Sequence, residues 1–186
     1  MKSEKNIVLF GFMGTGKSAA ARLLGERLNR PVVEMDAVIE EREGMAISRI
    51  FAERGEPYFR RRERELVKEL SREKGKIVAA GGGVVLDGDN IRDFRQNGLL
   101  ICLTARPPVI LKRVAGERHR PLLEKGDRLV TIEKMLEERR PDYDRIPCRI
   151  DTSDLTVDQV AEKILLEVRG KSRLSSGGAG ASPATG

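Results

Sequence analysis

The chain has 186 residues, 39% of them hydrophobic, which is enough for one well-buried core and too few for two ordinary domains. Its net charge of +6 comes from 35 Lys and Arg interspersed with 29 Asp and Glu; with no Trp, two Tyr and five Phe it lacks the stacking platforms that nucleic-acid bases need, so no nucleic-acid partner is expected. No stretch approaches the roughly 20 consecutive apolar residues of a membrane span, and residues 1–6 lead into the first strand without a signal-peptide core, so the protein is expected to be cytoplasmic with no membrane partner; it is separately expected to be a monomer.

Residues 7–10, Ile-Val-Leu-Phe, read as a buried strand. They lead into Gly11-Phe12-Met13-Gly14-Thr15-Gly16-Lys17-Ser18, the spacing G-x-x-x-x-G-K-S of a phosphate-binding loop. Glycines let backbone N–H groups turn inward around phosphate oxygens, where side chains would obstruct the approach. Lys17 is placed to reach the β- and γ-phosphates, and the Ser18 hydroxyl to ligate Mg²⁺. A helix over 18–28, with leucines at 23, 24 and 28 on one face, then points its positive end at the anion. The expected nucleotide contacts are therefore Gly14, Thr15, Gly16, Lys17, Ser18 and Ala19.

A short second strand over 31–35 ends at Asp36, where the carboxyl ends of strands gather ligands in open parallel sheets. Helices follow over 37–43, 46–53 and 57–71, separated by Gly44 and by Gly55-Glu56. The apolar positions Phe59, Leu66, Val67 and Leu70 put one side of the third helix in the core. Residues 76–80 form a buried strand that stops at Gly81-Gly82-Gly83, three glycines that suggest a close approach to backbone. Then come a helix over 88–96, a strand over 99–104 and a helix over 107–114 with prolines in its first turn. Residues 115–125 are charged and without apolar period, the signature of a mobile loop, and His119 within them is expected to be solvated surface. A helix over 127–140, a last strand over 148–150 and a closing helix over 157–168 complete the pattern. Residues 171–186, small and polar, predict a disordered tail. Cys102 and Cys148 sit in short apolar runs and read as buried thiols in a reducing compartment, without disulfide or metal. Five strands alternating with helices predict an α/β fold, a five-stranded parallel sheet flanked by helices in three layers.

Three further features bear on chemistry. Asp36 is a carboxylate near the phosphate loop that could accept a proton from an attacking hydroxyl, the preferred reading over an exposed turn residue or a cap for the next helix. Arg60 lies three residues before Glu63, which can hold its guanidinium in place, and a fixed guanidinium suits a planar carboxylate. Arg61 and Arg62 read as a solvated face. Asp36, the run Phe59-Arg60-Arg61-Arg62-Glu63, Gly81-Gly82-Gly83, Arg120-Pro121-Leu122-Leu123 and Arg139-Arg140-Pro141-Asp142-Tyr143 together resemble the shikimate kinase family in order and spacing, from about residue 7 to the closing helix.

The resemblance implies a P-loop fold like that of nucleoside-monophosphate kinases, with ATP and shikimate as small-molecule partners, Mg²⁺ as cofactor, and transfer of the γ-phosphoryl group to the 3-hydroxyl. It implies one kinase domain over 1–170, with a substrate-binding helical insert at about 37–72, a lid at about 115–126 and the tail at 171–186. By it, Lys17, Asp36 and Arg120 are the catalytic residues; Arg60, Arg139 and the Gly82 N–H hold the shikimate carboxylate, with Asp36 on the ring hydroxyls. Arg113, which could equally cap its helix, matches the residue that packs on adenine, and Arg120 also touches ATP. The pattern R-x-P-x-Y has to choose between Arg139 and Arg140, and Arg139 is preferred. Two positions depart from the family: Glu34 stands where an aspartate usually supports Mg²⁺ through water, and Ala80 where a hydroxyl residue is common. The competing readings are a gluconate or nucleoside-monophosphate kinase, a homologue that binds ATP without transferring it, and, on net charge alone, a nucleic-acid binder.

Overall fold

A computed structural model of the protein describes residues 5–115 and 127–176, with side chains as far as residue 170. The central strand β1 (Asn6–Gly11) is buried at every position, as expected of a strand covered on both faces. Its neighbours are β3 (Ile77–Ala79) on one side and β4 (Gly98–Thr104) on the other, while β2 (Val32–Glu34) and β5 (Arg149–Asp151) form the edges. All pairings are parallel, in the order β2-β3-β1-β4-β5.

Alternation along β1 divides the core in two. Ile7 and Leu9 join Ala20, Ala21 and Leu24 of α1 (Lys17–Leu28) and Val160, Ala161 and Ile164 of α8 (Val157–Ser176). Val8 and Phe10 face the opposite layer, made by α2 (Met35–Glu43), α3 (Ile47–Arg54), α4 (Glu56–Arg72), α5 (Gly88–Asn97), α6 (Pro107–Val114) and α7 (Arg128–Tyr143). There Phe10 meets Phe94 edge-on, ring centroids 6.0 Å apart. The result is the three-layer parallel architecture that the alternation of elements predicts. Because the chain leaves β1 toward one edge and β3 toward the other side, the loops after these two adjacent strands part and leave a crevice at their carboxyl ends.

Three boundaries differ from expectation by more than a single residue. Asp36 does not end a strand: β2 stops at Glu34, and Asp36 is in the first turn of α2. Helix α7 does not stop before Pro141 but runs through it to Tyr143. Helix α8 continues to Ser176, six residues into the segment expected to be a disordered tail. A helix already nucleated by packing gains one hydrogen bond per added residue. The glycine run after β3 turns into a single 3₁₀ turn, Val84–Leu86, which hydrophobic periodicity had not revealed.

Candidate functional site

The phosphate loop joins β1 to α1. Gly14 (φ +73°) and Gly16 (φ +94°) adopt left-handed backbone that only glycine enters without strain. Gly16 caps α1 with no side-chain hydrogen bond, so the first N–H groups of the helix are left for an anion. Thr15 is buried, and its hydroxyl donates to the Phe12 carbonyl at 2.7 Å, bracing the loop from within. Lys17 Nζ donates to the carbonyls of Gly11 and Phe12 at 2.8 and 2.9 Å. The Ser18 hydroxyl donates to Glu34 Oε2 at 2.6 Å, and Glu34 Oε1 lies 3.3 Å from Arg22. Lys17, Ser18, Ala19, Glu34, Asp36, Gly82 and Arg113 all border one cavity of about 330 Å³.

Arg113 does not cap α6. Its guanidinium donates to the Gly14 carbonyl at 3.2 Å and to the Thr152 hydroxyl and carbonyl at 2.9 and 2.7 Å. Thr152, buried after β5, donates in turn to the backbone of Thr15 or Thr104. Thr152 thus ties the phosphate loop to the far edge of the sheet, a role that no local motif announces.

The other wall is built around the three glycines. A methyl group on Gly81 would lie 2.6 Å from Asp36 Oδ1 and 2.9 Å from Glu63 Oε1, and one on Gly83 would overlap the Arg60 guanidinium. Only bare backbone lets these three charged groups close on the loop. Arg60 is gripped by Glu63 at 2.5 Å and by Glu56 at 2.9 Å. Glu63 is 2% exposed; burial pushes its carboxyl up to about 7, with Arg60 pulling against the shift and Asp36 and Glu56 adding to it.

From α7, Arg139 points at the Gly82 carbonyl (3.5 Å) and lies over the Phe12 ring, whereas Arg140 is 78% exposed beside Asp144. Tyr143, one turn beyond Arg139 on the same face, donates its hydroxyl to that carbonyl at 3.0 Å. Its position depends on the helix continuing through Pro141. Arg61 and Arg62 lie away from the glycine loop: both pack on Tyr58, and Arg62 pairs with Glu43 and Glu65. Ala80 is buried and donates its N–H to Leu9. Arg120, His119 and the rest of the expected lid from residue 116 lie outside the described residues.

Among the described residues no cluster of three His, Cys, Asp or Glu side chains could cage a metal. What the crevice offers instead is a backbone cradle for phosphate facing a pocket of paired carboxylates and guanidinia, the division of labour of a P-loop small-molecule kinase. A family model described as shikimate kinase matches residues 13–169. Shikimate kinase of Pelotomaculum thermopropionicum is 44% identical over 161 residues, 87% of this chain and 94% of that one. That of Thermodesulfovibrio yellowstonii is 42% identical over 173 residues, 93% and 98% of the two chains. The solved shikimate kinase from Acinetobacter baumannii, in complex with shikimate, superposes with a TM-score of 0.86 at 31% identity, covering 90% of this chain and 94% of that one. The chain belongs to the shikimate kinase family.

Proposed function

We propose that the protein transfers the γ-phosphoryl group of ATP to the 3-hydroxyl of shikimate. The observation that carries this reading is the meeting of two distant sets of residues across the Gly81–Gly83 backbone: Arg60 and Arg139, suited to a carboxylate, and Asp36, suited to a hydroxyl, beside the cavity that holds Lys17. ATP enters with its phosphates on the N–H groups of residues 14–19, and Lys17 leaves its own loop carbonyls to neutralise the β- and γ-oxygens. Arg113 lies at the outer end of this path and packs on adenine. Arg60 and Arg139 bind the shikimate carboxylate as fixed guanidinia, with the Gly82 N–H between them, which orients the ring as well as attracting it. Asp36 orients the 3-hydroxyl and accepts its proton as the oxygen attacks phosphorus. Arg120, on the lid over residues 115–126, covers the transferring group and excludes water.

Mg²⁺ fits the donor set: an alcohol and a carboxylate oxygen, Ser18 Oγ and Glu34 Oε2, stand 2.6 Å apart at the cavity wall, and magnesium takes few protein oxygens, with phosphates and water completing its shell. The ion would supply charge neutralisation on the phosphate oxygens; Ser18 would hold it directly and Glu34 through water. Charge is kept when glutamate replaces aspartate there. ATP and shikimate are the partners this reading requires; it invokes no nucleic acid or membrane, and one chain in the cytoplasm supplies every residue. Among the described residues no helix is long and apolar enough to cross a membrane.

The test is ADP release by the purified protein with ATP and Mg²⁺, with and without shikimate, gluconate or a nucleoside monophosphate. Stimulation by shikimate alone is expected. Stimulation by another acceptor, or by none while ATP still binds, overturns the reading.

A further inference from the structure

We propose that Glu63 takes up a proton when the carboxylate of the acceptor settles on Arg60, so that the acceptor site binds more weakly as pH rises. The inference rests on the carboxylate reading of Arg60 given above. Its basis is crowding. The Arg60 guanidinium already serves two carboxylates, Glu63 at 2.5 Å and Glu56 at 2.9 and 3.1 Å. The other oxygen of Glu63 faces Asp36: both lie within 3 Å of the point where a Gly81 side chain would begin, 2.9 and 2.6 Å away. A bound acceptor brings one more negative charge to the same cation.

The difference between the two carboxylates on Arg60 decides which one yields. Glu56 is 54% exposed and water disperses its charge; Glu63 is 2% exposed and has no such recourse. The charged groups around Glu63 are Arg60 and Glu56 from its own helix and Asp36 from α2, while α7 brings Arg139 to the far side of Gly82 and the β3 loop presents glycine backbone. An arriving carboxylate competes for Arg60 and repels Glu63, and the least costly response is for Glu63 to become neutral. The proton comes from solvent onto a Glu63 oxygen; Arg60 stays charged, and no covalent bond of the acceptor changes.

The sign follows from linkage. Without acceptor, burial holds the Glu63 carboxyl near 7, so it is partly protonated at neutrality; a bound carboxylate raises it further. Affinity is therefore constant at pH well below the free value, falls between the free and bound values, and is constant again above both. Since each unit of separation is a factor of ten, the dissociation constant should rise about five- to tenfold from pH 6 to pH 9.

Isothermal titration of the full chain with shikimate, in two buffers of different ionisation heat at each pH, reads both quantities. The expected result is weakening over that range with uptake of about half a proton near pH 7.5. Glu63→Gln should bind with no uptake and no pH dependence between pH 6 and 9, an outcome that a purely structural role for Glu63 does not produce. The methyl ester of shikimate, which lacks the carboxylate, should bind the unaltered protein without uptake. Uptake that persists in Glu63→Gln, or is equal for acid and ester, overturns the proposal, and the ester comparison decides the matter should that variant not fold. Arg60→Ala separates the two layers: if it abolishes shikimate binding while the unaltered protein takes up no proton, the carboxylate reading stands and the proton coupling falls. If it leaves affinity unchanged, the carboxylate reading itself falls.

Discussion

On the phosphate-loop side of the crevice the geometry is set mainly by backbone: Gly14 and Gly16 in left-handed conformation, a helix start with no side-chain cap, and a threonine hydroxyl turned back onto its own loop. On the side proposed for the acceptor it is set by charged and hydroxyl-bearing side chains from α2, α4 and α7, brought together where the β3 loop has no side chains to keep them apart. A contiguous loop depends less on the rest of the chain, because most of its geometry is set by residues that are neighbours in sequence, with Arg113 and Thr152 as its distant ties. A pocket assembled from α2, α4, the loop after β3 and α7, which are separate segments of the chain, depends on each ion pair and hydrogen bond across it. Variants on the two sides should therefore fail differently.

The largest effect is expected from Asp36→Asn, which keeps the shape of the side chain and removes its basicity. Turnover should fall by about 10²–10⁴-fold, while ATP affinity, read by nucleotide titration, stays within about twofold because the phosphate cradle is untouched. Equal losses in turnover and ATP binding would show that Asp36 serves the structure of α2 and not the chemistry. Lys17→Ala is the mirror case. It should reduce kcat/KM for ATP by about 10²–10³-fold, with shikimate binding in the absence of nucleotide unchanged by calorimetry. A large loss of shikimate affinity in that variant would mean that the two walls are one cooperative unit.

The same contrast explains which features are legible in the amino-acid order alone. The phosphate loop is a string of eight residues between a strand and a helix, and the pairing of Arg60 with Glu63 follows from helical spacing; both are local, and local patterns survive in sequence. The glycine run announced a close approach but not what approaches, because Asp36 and Glu63 reach Gly81 from other elements. Asp36 itself was expected at a strand end; the edge strand β2 has only three residues, and Met35 already begins the helix. Tyr143 stands in the R-x-P-x-Y pattern, but its place on the Arg139 face of the helix is masked by Pro141, since a proline ordinarily ends a helix and here only removes one hydrogen bond in the last turn. Thr152 carries no signal at all: its role comes from the far edge of the sheet passing beside Arg113 and the Thr15 carbonyl.

Tyr143→Phe tests whether the acceptor wall depends on such remote supports. The hydroxyl it removes is buried and donates to Gly82, whose carbonyl would be left to Arg139 alone. A lost hydrogen bond of this kind is worth about 0.5–1.5 kcal/mol. KM for shikimate should rise about three- to tenfold with KM for ATP unchanged, in steady-state kinetics varying one substrate at a time. A matching rise in both would place Tyr143 in the general core.

Arg42→Ala sets the lower bound. Arg42, on α2, makes a two-pronged pair with Glu69 of α4, at 3.0 and 2.7 Å, and so joins the same two helices that carry Asp36 and Arg60. Both side chains are about half exposed, so water and salt screen the pair, and such pairs contribute about 0.2–1 kcal/mol. Thermal unfolding should shift slightly, by less in high salt, and the kinetic constants should not move. The reason is that the two helices share a buried core: Ile39 of α2 and Leu66 and Val67 of α4 belong to one apolar cluster, and that packing fixes the helices whether or not the surface charges meet. A change in shikimate KM on losing this pair would show instead that surface charges hold α2 and α4 in register, and the acceptor wall would then extend to the outer face of the helical layer.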